Sequence, residues 1–346
     1  MRSGKPLRVA VVGCGAVAEL VHLPAIAALS GIEVQLLVDK DPGRAALLAR
    51  QYGVRATGDD YRSIVGAADA AIVALPHHLH AQVAIDLLRG GVHTLVEKPM
   101  ALSVADCDAM IRAAHDSAAV LAVGLQRRFH PSLLFAKQAI DAGLLGVLTA
   151  IELREGSAYS WKVESDAMFR PPAGGVLADI GVHVLDLLAW WFGECAVLAY
   201  RDDAMGGVEA DCEIRLRLPG DVEASVELSR TRNLPNTCVV AGTRGTLEVG
   251  TKTDSSVRLT IAAQDITLGG KPVAAGATPP ATLVDLFRLE FTDFVAAIEG
   301  GGEPVVSGRE GCKSVALMEA CYARREMLEY PWEAPARDGT LQAIRA

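Results

Sequence analysis

Long hydrophobic runs are absent from this 346-residue chain. No apolar stretch reaches the roughly 18 residues that a membrane-spanning helix needs, so we expect no membrane span. The basic start of the chain leads into a glycine motif rather than a signal-peptide cleavage pattern. Lysine and arginine form no cluster and the net charge is −9, which argues against nucleic acid or an anionic membrane as a partner.

The cysteines lack any pairing pattern. No two of the seven have the C-x-x-C spacing, and all are scattered along the chain. Such a set in a long chain is typical of reduced thiols rather than a disulfide framework, so we predict a cytoplasmic protein. Aromatic residues are also scarce, at 5%, whereas hydrophobic residues reach 51%, a balance that suits a compact α/β enzyme.

Short apolar runs alternate with amphipathic stretches in the first third of the chain. We predict strands at Leu7–Val12, Val34–Val38, Ala70–Leu75, Val92–Val96 and Val120–Val123. Helical periodicity is present between them, at Pro42–Tyr52, His80–Arg89 and Val104–Ser117. This alternation predicts an α/β domain over residues 1–125 with a parallel, doubly wound sheet.

The rest of the chain, residues 126–346, has a different periodicity. Apolar and charged residues alternate from Val208 to Leu218 and again from Val222 to Leu228, which predicts an antiparallel hairpin with one apolar face. Further strands are predicted at Thr237–Ala241, Thr246–Val249 and Val257–Ile261, and helices at Leu283–Ile298 and Arg309–Glu329. We therefore predict an α+β domain on an open, mostly antiparallel sheet, whose apolar face is covered by helices or by another subunit.

A glycine-rich turn follows the first predicted strand. Residues 13–18 have the pattern G-x-G-x-x-A at the point where a strand leads into a helix. Such a turn lets a pyrophosphate approach the backbone, although a plain tight turn is the alternative. An acid, Asp39, follows the second strand at the spacing that suits the ribose hydroxyls. Asp39 favours NAD over NADP, but Lys40 and Arg44 are close enough in sequence to compensate. The cofactor-binding residues predicted here are Gly13, Gly15, Ala16, Val17, Asp39 and Lys40.

The charged pair of Glu97-Lys98-Pro99 ends the apolar run Val92–Val96. The carboxyl end of a parallel strand is where open α/β sheets bind their ligands. The proline biases Lys98 toward an extended conformation, so the lysine is presented in one direction. A structural ion pair at a strand end is the alternative.

Three ionisable residues interrupt an apolar helical stretch between Val176 and Phe192. Asp179, His183 and Asp186 have the spacing i, i+4 and i+7, which places them on one helix face. Burying them costs free energy unless they are paired or face a cavity. We interpret them as a site with a histidine general base, and the alternative is a histidine satisfied within the core.

Three histidines follow the third clear strand, at His77, His78 and His80. They suggest a metal site, but no cysteine or carboxylate stands at ligand spacing nearby. We therefore predict no metal. We expect these histidines to line a cofactor cleft instead, because Pro76 and His77 lie at the carboxyl end of a strand.

These motifs together resemble those of the Gfo/Idh/MocA oxidoreductases, in order and over nearly the whole chain. The matching segments are the glycine turn, Leu75–His80, Glu97–Pro99 and the D-x-G-x-H-x-x-D pattern from Asp179 to Asp186. The resemblance implies an N-terminal Rossmann domain and a C-terminal α+β domain whose sheet forms a homodimer or homotetramer interface. It also implies a nicotinamide cofactor, NAD with NADP still open, and a sugar, polyol or nucleotide-linked sugar as substrate.

The resemblance further implies individual roles. Lys98 is similar to the lysine that contacts the reacting oxygen, and Asp179 with His183 to the pair that completes the catalytic site. The cofactor-binding residues implied are Leu75, Pro76, His77, His80, Glu97, Lys98 and Gln126. The substrate-binding residues implied are Lys98, Arg128, Trp161, Asp179, His183 and Asp186. Whether Arg127 or Arg128 faces the site stays open, Trp161 has a packing role as its alternative, and Leu75-Pro76-His77 departs from the T-P-N of many members.

We expect reversible oxidation of a secondary alcohol. His183, oriented by Asp179, would take the hydroxyl proton, while Lys98, oriented by Glu97, would stabilise the oxygen. Two alternatives share the scaffold. One is a glycosidase that acts by transient oxidation with retained NAD, and the other is a cofactor-sensing regulator without catalysis.

Overall fold

The computed structural model describes residues 5–158, 169–171, 174–205, 207–252, 256–262, 266–271, 280 and 282–329. Trp161 lies outside these ranges, so its predicted role stays a prediction. Within the described residues, no helix is both long enough and apolar enough to cross a membrane.

Six parallel strands form the first sheet. They are β1 (Leu7–Val12), β2 (Ile32–Val38), β3 (Ala56–Gly58), β4 (Ala70–Val73), β5 (His93–Glu97) and β6 (Leu121–Gly124). Their order is β3-β2-β1-β4-β5-β6, which confirms the parallel, doubly wound sheet. The order reverses between β1 and β4, and the crevice at the carboxyl ends of these two strands is the usual ligand position of such a sheet.

Helices connect these strands on both faces of the sheet. They are α1 (Leu23–Ala27, preceded by a π-helical turn at Ala18–His22), α2 (Pro42–Tyr52), α3 (His80–Arg89) and α4 (Val104–Asp116). The side chain of Asp41 caps α2 by accepting from two backbone N–H groups, and that of Ser103 caps α4 by accepting from the N–H of Asp106. The predicted helices in this half are therefore confirmed, with ends within one residue.

Nine strands form the second sheet. They are β7 (Leu148–Gly156), β8 (Ala196–Asp202), β9 (Asp211–Leu218), β10 (Val222–Ser229), β11 (Thr237–Gly242), β12 (Gly245–Gly250), β13 (Val257–Ile261), β14 (Ile266–Gly270) and β15 (Arg325–Met327). Their order is β14-β13-β12-β11-β7-β10-β9-β8-β15. Only β7 with β10 and β8 with β15 pair in parallel, so the mostly antiparallel sheet is confirmed.

The two faces of this sheet differ as the alternation predicts. On β9, Cys212, Ile214 and Leu216 are buried, while the residues between them are exposed. The outer face carries cross-strand ion pairs such as Arg215–Glu223 at 2.6 Å. The inner face packs against helices α5 (Pro131–Asp141), α6 (Val182–Phe192) and α8 (Gly308–Tyr322). A further helix, α7 (Leu283–Gly300), packs instead against α1 and the π-helical turn that precedes it.

The last predicted helix, Arg309–Glu329, is wrong at its carboxyl end. Helix α8 ends at Tyr322, and the chain then forms β15 beside β8. The guanidinium of Arg325 donates to the buried carboxylate of Asp202 at 2.6 Å, which favours the strand over a continued helix.

Helices α7 and α8 return to the first sheet. Phe291 and Phe294 of α7 lie in one apolar core with Val9 and Val11 of β1. In addition, the backbone N–H of Val123 donates to the carbonyl just before α8, at 3.0 Å. The C-terminal half of the chain therefore supplies part of the covering of the nucleotide-type sheet.

Candidate active site

The glycine turn has the geometry that a pyrophosphate requires. Gly13 has φ +96°, and a Cβ placed there would lie 2.1 Å from the carbonyl oxygen of Ala74. A Cβ at Gly15 would instead meet no atom within 4 Å, so open space lies above the turn. The helix begins directly afterwards, which directs its N–H groups at this space. These features fit a dinucleotide.

The carboxylate of Asp39 fixes the same turn. It accepts from the N–H of Cys14 at 2.6 Å and from the N–H of Asp41 at 2.8 Å. Arg44 donates to the carbonyl of Cys14 at 2.8 Å and pairs with Glu19 at 3.0 Å. Arg44 therefore stabilises the turn, and Lys40 beside it is exposed.

His80 has a structural position and not the expected one in the cofactor cleft. It is completely buried, and its ring nitrogens lie 2.8 Å from the carbonyl oxygens of Pro99 and Leu75. It thus joins the loop after β4 to the loop after β5. Leu75 and Pro76 follow β4, and His77 begins a short 3-10 turn there. Among the described residues, no cluster of histidine, cysteine, aspartate and glutamate is suited to a metal ion.

Glu97 is bonded to the lysine that follows it. Its buried carboxylate bonds to Nε2 of His22 at 2.7 Å and accepts from the backbone N–H of Lys98 at 3.1 Å. Burial opposes ionisation of Glu97, but the interaction with His22 keeps its pKa below the usual value. Glu97 therefore orients Lys98 through its backbone, and the cofactor-binding role of Glu97 stays a prediction.

Lys98 joins the two halves of the site. Its Nζ donates to Oδ1 of Asp179 at 2.7 Å and to the backbone carbonyl of Asp179 at 2.9 Å. Burial lowers the pKa of Lys98 to about 8. Glu97 opposes this shift, and the positive charges of Arg230 and Arg127 add to it. The ammonium is therefore the main form at neutral pH but titrates just above it.

Asp179 bonds to cations and not to His183. It lies in a π-helical turn, Leu177–Gly181, that leads into α6, and its second carboxylate oxygen contacts the guanidinium of Arg230. The expected orientation of His183 by Asp179 is therefore wrong. Nδ1 of His183 is buried and has no hydrogen-bond partner among the described residues. Burial, and then the charges of Arg127, Lys98 and Lys252, hold the pKa of His183 well below its usual value, so the ring is neutral.

Arg127 faces this cluster. It donates two hydrogen bonds, each 2.7 Å long, to the carboxylate of Glu155, which is fully buried at the end of β7. Nζ of Lys252 donates to the same carboxylate at 3.0 Å. Burial opposes the ionisation of Glu155, but these cations lower its pKa to about 2.

Arg128 and Asp186 form a buried ion pair. The guanidinium donates to the carboxylate at 2.6 Å and 3.0 Å, and the two side chains are 2% and 1% exposed. Arg128 also donates to Glu310 of α8 at 2.9 Å. This arrangement joins α6 to α8, and the substrate-binding role of Arg128 and Asp186 stays a prediction.

Glu209 holds the amino end of the π-helical turn that carries Asp179. Its backbone carbonyl accepts from the N–H of Val176 at 2.9 Å, and its carboxylate accepts from the N–H of Leu177 at 3.1 Å. A Cβ at Gly175 would lie 2.2 Å from this carboxylate. Gly175, with φ +114°, is therefore required by the close approach of Glu209.

Several residues around the site escaped the sequence analysis: His22, Glu155, Glu209, Arg230 and Lys252. A signal existed for two of them. Glu155 has the same parity as the buried Ile151 and Leu153 of β7, and Arg230 has the parity of the buried residues of β10. A charge at an inward position at the end of a strand indicates a site. Gln126, which was predicted, is buried, and its Oε1 has no partner among the described residues.

Family comparisons decide the assignment. Residues 7–125 match an oxidoreductase family domain described as an NAD-binding Rossmann fold. Residues 137–327 match the C-terminal alpha/beta domain of the same family.

The chain belongs to the Gfo/Idh/MocA oxidoreductase family. Among its relatives, D-apiose dehydrogenase of Paraburkholderia graminis is 26% identical over 97% of this chain and 94% of that protein. Inositol 2-dehydrogenase of Rhizobium meliloti is 25% identical over 91% of this chain and 95% of that protein. The aldose-aldose oxidoreductase of Caulobacter crescentus, solved with glycerol, has a TM-score of 0.82 and 25% identity over 92% of this chain and 97% of that one.

The protein is thus an oxidoreductase with an NAD-binding domain, as the motifs predict. The relatives named above match over most of their length and are dehydrogenases or oxidoreductases. Neither the glycosidase nor the silent regulator is therefore favoured.

Proposed function

We propose that this oxidoreductase interconverts a secondary alcohol and a ketone on a sugar, polyol or nucleotide-linked sugar. The observation that carries the proposal is the Lys98–Asp179 pair beside a neutral His183, at the carboxyl end of β5. The open glycine turn lies at the carboxyl end of β1 in the same sheet. Cofactor and substrate would therefore meet where such sheets bind ligands.

Several residues of the first sheet and its loops would hold the cofactor. Gly13 and Gly15 would admit the pyrophosphate, and Asp39 would bind the adenosine ribose and disfavour a 2′-phosphate. Gln126, whose buried Oε1 lacks a partner among the described residues, would accept a hydrogen bond near the nicotinamide. When bound, the nicotinamide supplies the hydride acceptor or donor.

Lys98 would act on the reacting oxygen. Its ammonium is fixed by two hydrogen bonds to Asp179, so it needs no reorganisation when negative charge develops on a substrate oxygen. Asp179 is in turn held by Arg230 and, through its helix, by Glu209. This chain of contacts keeps the ammonium in one place.

His183 would take the hydroxyl proton during oxidation. Its ring is neutral, as a proton acceptor must be, and its Nδ1 is not consumed by a structural hydrogen bond among the described residues. The nearby cations make the protonated ring costly.

The proposal of a carbohydrate substrate rests on the names of the relatives and on this geometry. D-apiose dehydrogenase and inositol 2-dehydrogenase are named for polyhydroxylated substrates. A homodimer or homotetramer through the outer face of the nine-stranded sheet, and a cytoplasmic location in keeping with seven free cysteines, stay proposals. Light scattering at several protein concentrations tests the assembly.

The test is hydride transfer. Purified protein is mixed with NAD⁺ and a panel of sugars, polyols and nucleotide sugars, and the absorbance of NADH is followed. The oxidoreductase proposal predicts stoichiometric NADH with at least one compound. Glycoside cleavage without net NADH would support the glycosidase, and tight NADH binding without turnover of any compound would support the regulator.

A further inference from the structure

Two of the seven cysteines face each other across the packed helices α4 and α8. Cys107 lies on α4 and Cys312 on α8, and their thiols share a hydrogen bond. Cys107 is completely buried, whereas Cys312 is partly exposed. Because α4 belongs to the nucleotide-type half of the chain and α8 to the C-terminal half, the two sulfur atoms meet where the halves join.

The packing of the helices gives the same pairing independently of the thiols. The backbone N–H of Val104, at the start of α4, donates to the carboxylate of Glu319 in the last turn of α8, at 3.3 Å. A Cβ placed on Gly308, the first residue of α8, would lie 3.1 Å from Cγ1 of Ile111. The helices are therefore antiparallel. Each cysteine lies one turn in from the Gly308–Ile111 contact, on the same face of its helix, so the register places the two opposite each other.

Glycines let α8 approach its neighbours closely at this point. An added Cβ would lie 2.7 Å from the side chain of Leu121 at Gly308, and 2.6 Å from that of Val123 at Gly311. Helix axes usually lie about 8–10 Å apart, whereas a disulfide needs Cα atoms within about 7 Å of each other. The glycine directly before Cys312 therefore favours an approach that a disulfide can span.

We propose that Cys107 and Cys312 form an oxidation site, at which a hydroperoxide converts the thiol pair into a disulfide between α4 and α8. This site lies outside the residues assigned to the hydride transfer. The two thiols are free in the structure described above, so the disulfide is a modification that the oxidant introduces.

Cys312 is the thiol that reacts first. The hydrogen bond from Cys107 lowers the pKa of Cys312, against burial and the charges of Asp108 and Glu319. The same hydrogen bond, together with burial, raises the pKa of Cys107. Since the thiolate is the nucleophile, the partly exposed Cys312 attacks the oxidant, and the buried Cys107 can attack only its neighbour.

The reaction consists of two displacement steps. The thiolate of Cys312 attacks one oxygen of the hydroperoxide, so that an S–O bond forms and the O–O bond breaks. The departing oxygen takes up the proton that the thiol released and leaves as water or an alcohol. Cys107 then attacks the sulfur of this sulfenic acid; the S–S bond forms, the S–O bond breaks, and hydroxide leaves as water with the proton of Cys107. The thiol pair loses two electrons and the hydroperoxide gains them.

The disulfide would fasten the two halves of the chain beside the site. Glu310, in the same turn as Cys312, accepts from Arg128 at 2.9 Å. Just before α8, the carbonyl of Val306 accepts from the N–H of Val123 in β6 at 3.0 Å. A covalent link from α4 to this region would restrict the unfolded chain, so the oxidised protein should resist denaturation better than the reduced one.

Peptide mapping after oxidation tests the proposal. The full-length protein is treated with hydrogen peroxide, its remaining thiols are blocked with iodoacetamide, and the digest is analysed by mass spectrometry without reduction. We expect one linked pair of peptides, which contains Cys107 and Cys312 and disappears after treatment with dithiothreitol. The urea midpoint of the oxidised protein should lie above that of the reduced protein.

Cysteine variants assign the two roles. In C107S the sulfenic acid of Cys312 should persist and be captured by dimedone, and C107A, which buries no hydroxyl, should behave in the same way. In C312S neither a sulfenic acid nor a link should form, because Cys107 is buried away from the oxidant. The matched control is C195S, which removes another partly exposed thiol, one that donates to a backbone carbonyl instead. It should form the link as the wild type does.

The alkylation rates of two cysteines provide a second measurement. Burial raises the pKa of Cys195 to about 11, whereas that of Cys312 is lowered, so Cys312 has at least about a hundredfold more thiolate near neutral pH. A thiolate of lower pKa is also a weaker nucleophile, so we expect iodoacetamide to modify Cys312 about tenfold faster than Cys195.

Three results would overturn the proposal. One is equal alkylation rates at Cys312 and Cys195. Another is oxidation of Cys312 in the wild type to sulfinic acid without a link to Cys107. The third is a linked pair that involves a different cysteine, or one that still forms in C312S.

Discussion

Replacement of Lys98 by alanine is the sharpest test of the catalytic arrangement. The substitution removes the ammonium that bonds to Asp179 at 2.7 Å and 2.9 Å. This ammonium is the group that we propose binds the reacting oxygen of the substrate. A unit charge about 4 Å from a developing oxyanion contributes about 4 kcal/mol at an effective dielectric constant of about 20. This corresponds to roughly a thousandfold in rate, and loss of one oxyanion donor typically costs about a hundred- to a thousandfold.

The assay is steady-state NADH formation with the best substrate of the panel, together with NADH titration by fluorescence. We expect kcat to fall about a hundred- to a thousandfold and the Kd of NADH to change little. Because the pKa of Lys98 is about 8, the wild-type rate should decline above about that pH as the ammonium is lost. The residual rate of K98A should lack this decline.

K137A is the matched control, because Lys137 pairs with Asp141 on α5 and lies outside the site. Its kinetics should equal those of the wild type. A K98A enzyme within a factor of ten of the wild-type kcat would refute the role of Lys98, and so would an unchanged decline above pH 8 in that variant.

Three further outcomes are expected. D39N should weaken NADH binding and narrow the preference for NADH over NADPH, as measured by paired titrations; an unchanged ratio would contradict the ribose role of Asp39. The pKa of Glu155 is lowered from 4.5 to about 2, so its contribution of about 3 kcal/mol to the free energy of unfolding should be complete above about pH 5 and disappear as the pH falls toward 2. Urea denaturation should show this loss in the wild type and not in E155Q. D186N should lower the free energy of unfolding by about 1.5–3 kcal/mol, because it weakens the charged hydrogen bonds of the buried Arg128 and leaves Glu310 as its remaining anion, and a loss below about 0.5 kcal/mol would contradict the buried pair.

Local sequence patterns were enough to predict most of the helices and strands. Strand β1, helix α2 and helix α3 have the predicted bounds, because each combines a clear periodicity with a glycine, proline or aspartate at its end. The end of α8 was not predictable in this way. It depends on a hydrogen bond between Arg325 and Asp202, residues far apart in the chain.

The candidate site was predictable as a set of residues but not as a set of contacts. The motifs identified Lys98, Asp179 and His183, yet spacing alone suggested that Asp179 orients His183. In the folded chain Asp179 bonds to Lys98, from the other half of the protein. Which of two adjacent arginines faces the site likewise depends on their partners, Glu155 for Arg127 and Asp186 for Arg128. Pairings of this kind depend on tertiary packing, which the periodicity of the sequence does not reveal.

The return of α7 to the first sheet has a consequence for engineering. Phe291 and Phe294 complete an apolar core with strand β1, so the nucleotide-type half includes a helix, Leu283–Gly300, that lies far beyond its last strand, Leu121–Gly124, in the chain. A fragment cut near residue 125 would expose that core to water and should aggregate. Exchange of cofactor domains between relatives will therefore require a two-part graft, in which α7 is transplanted with the sheet it covers.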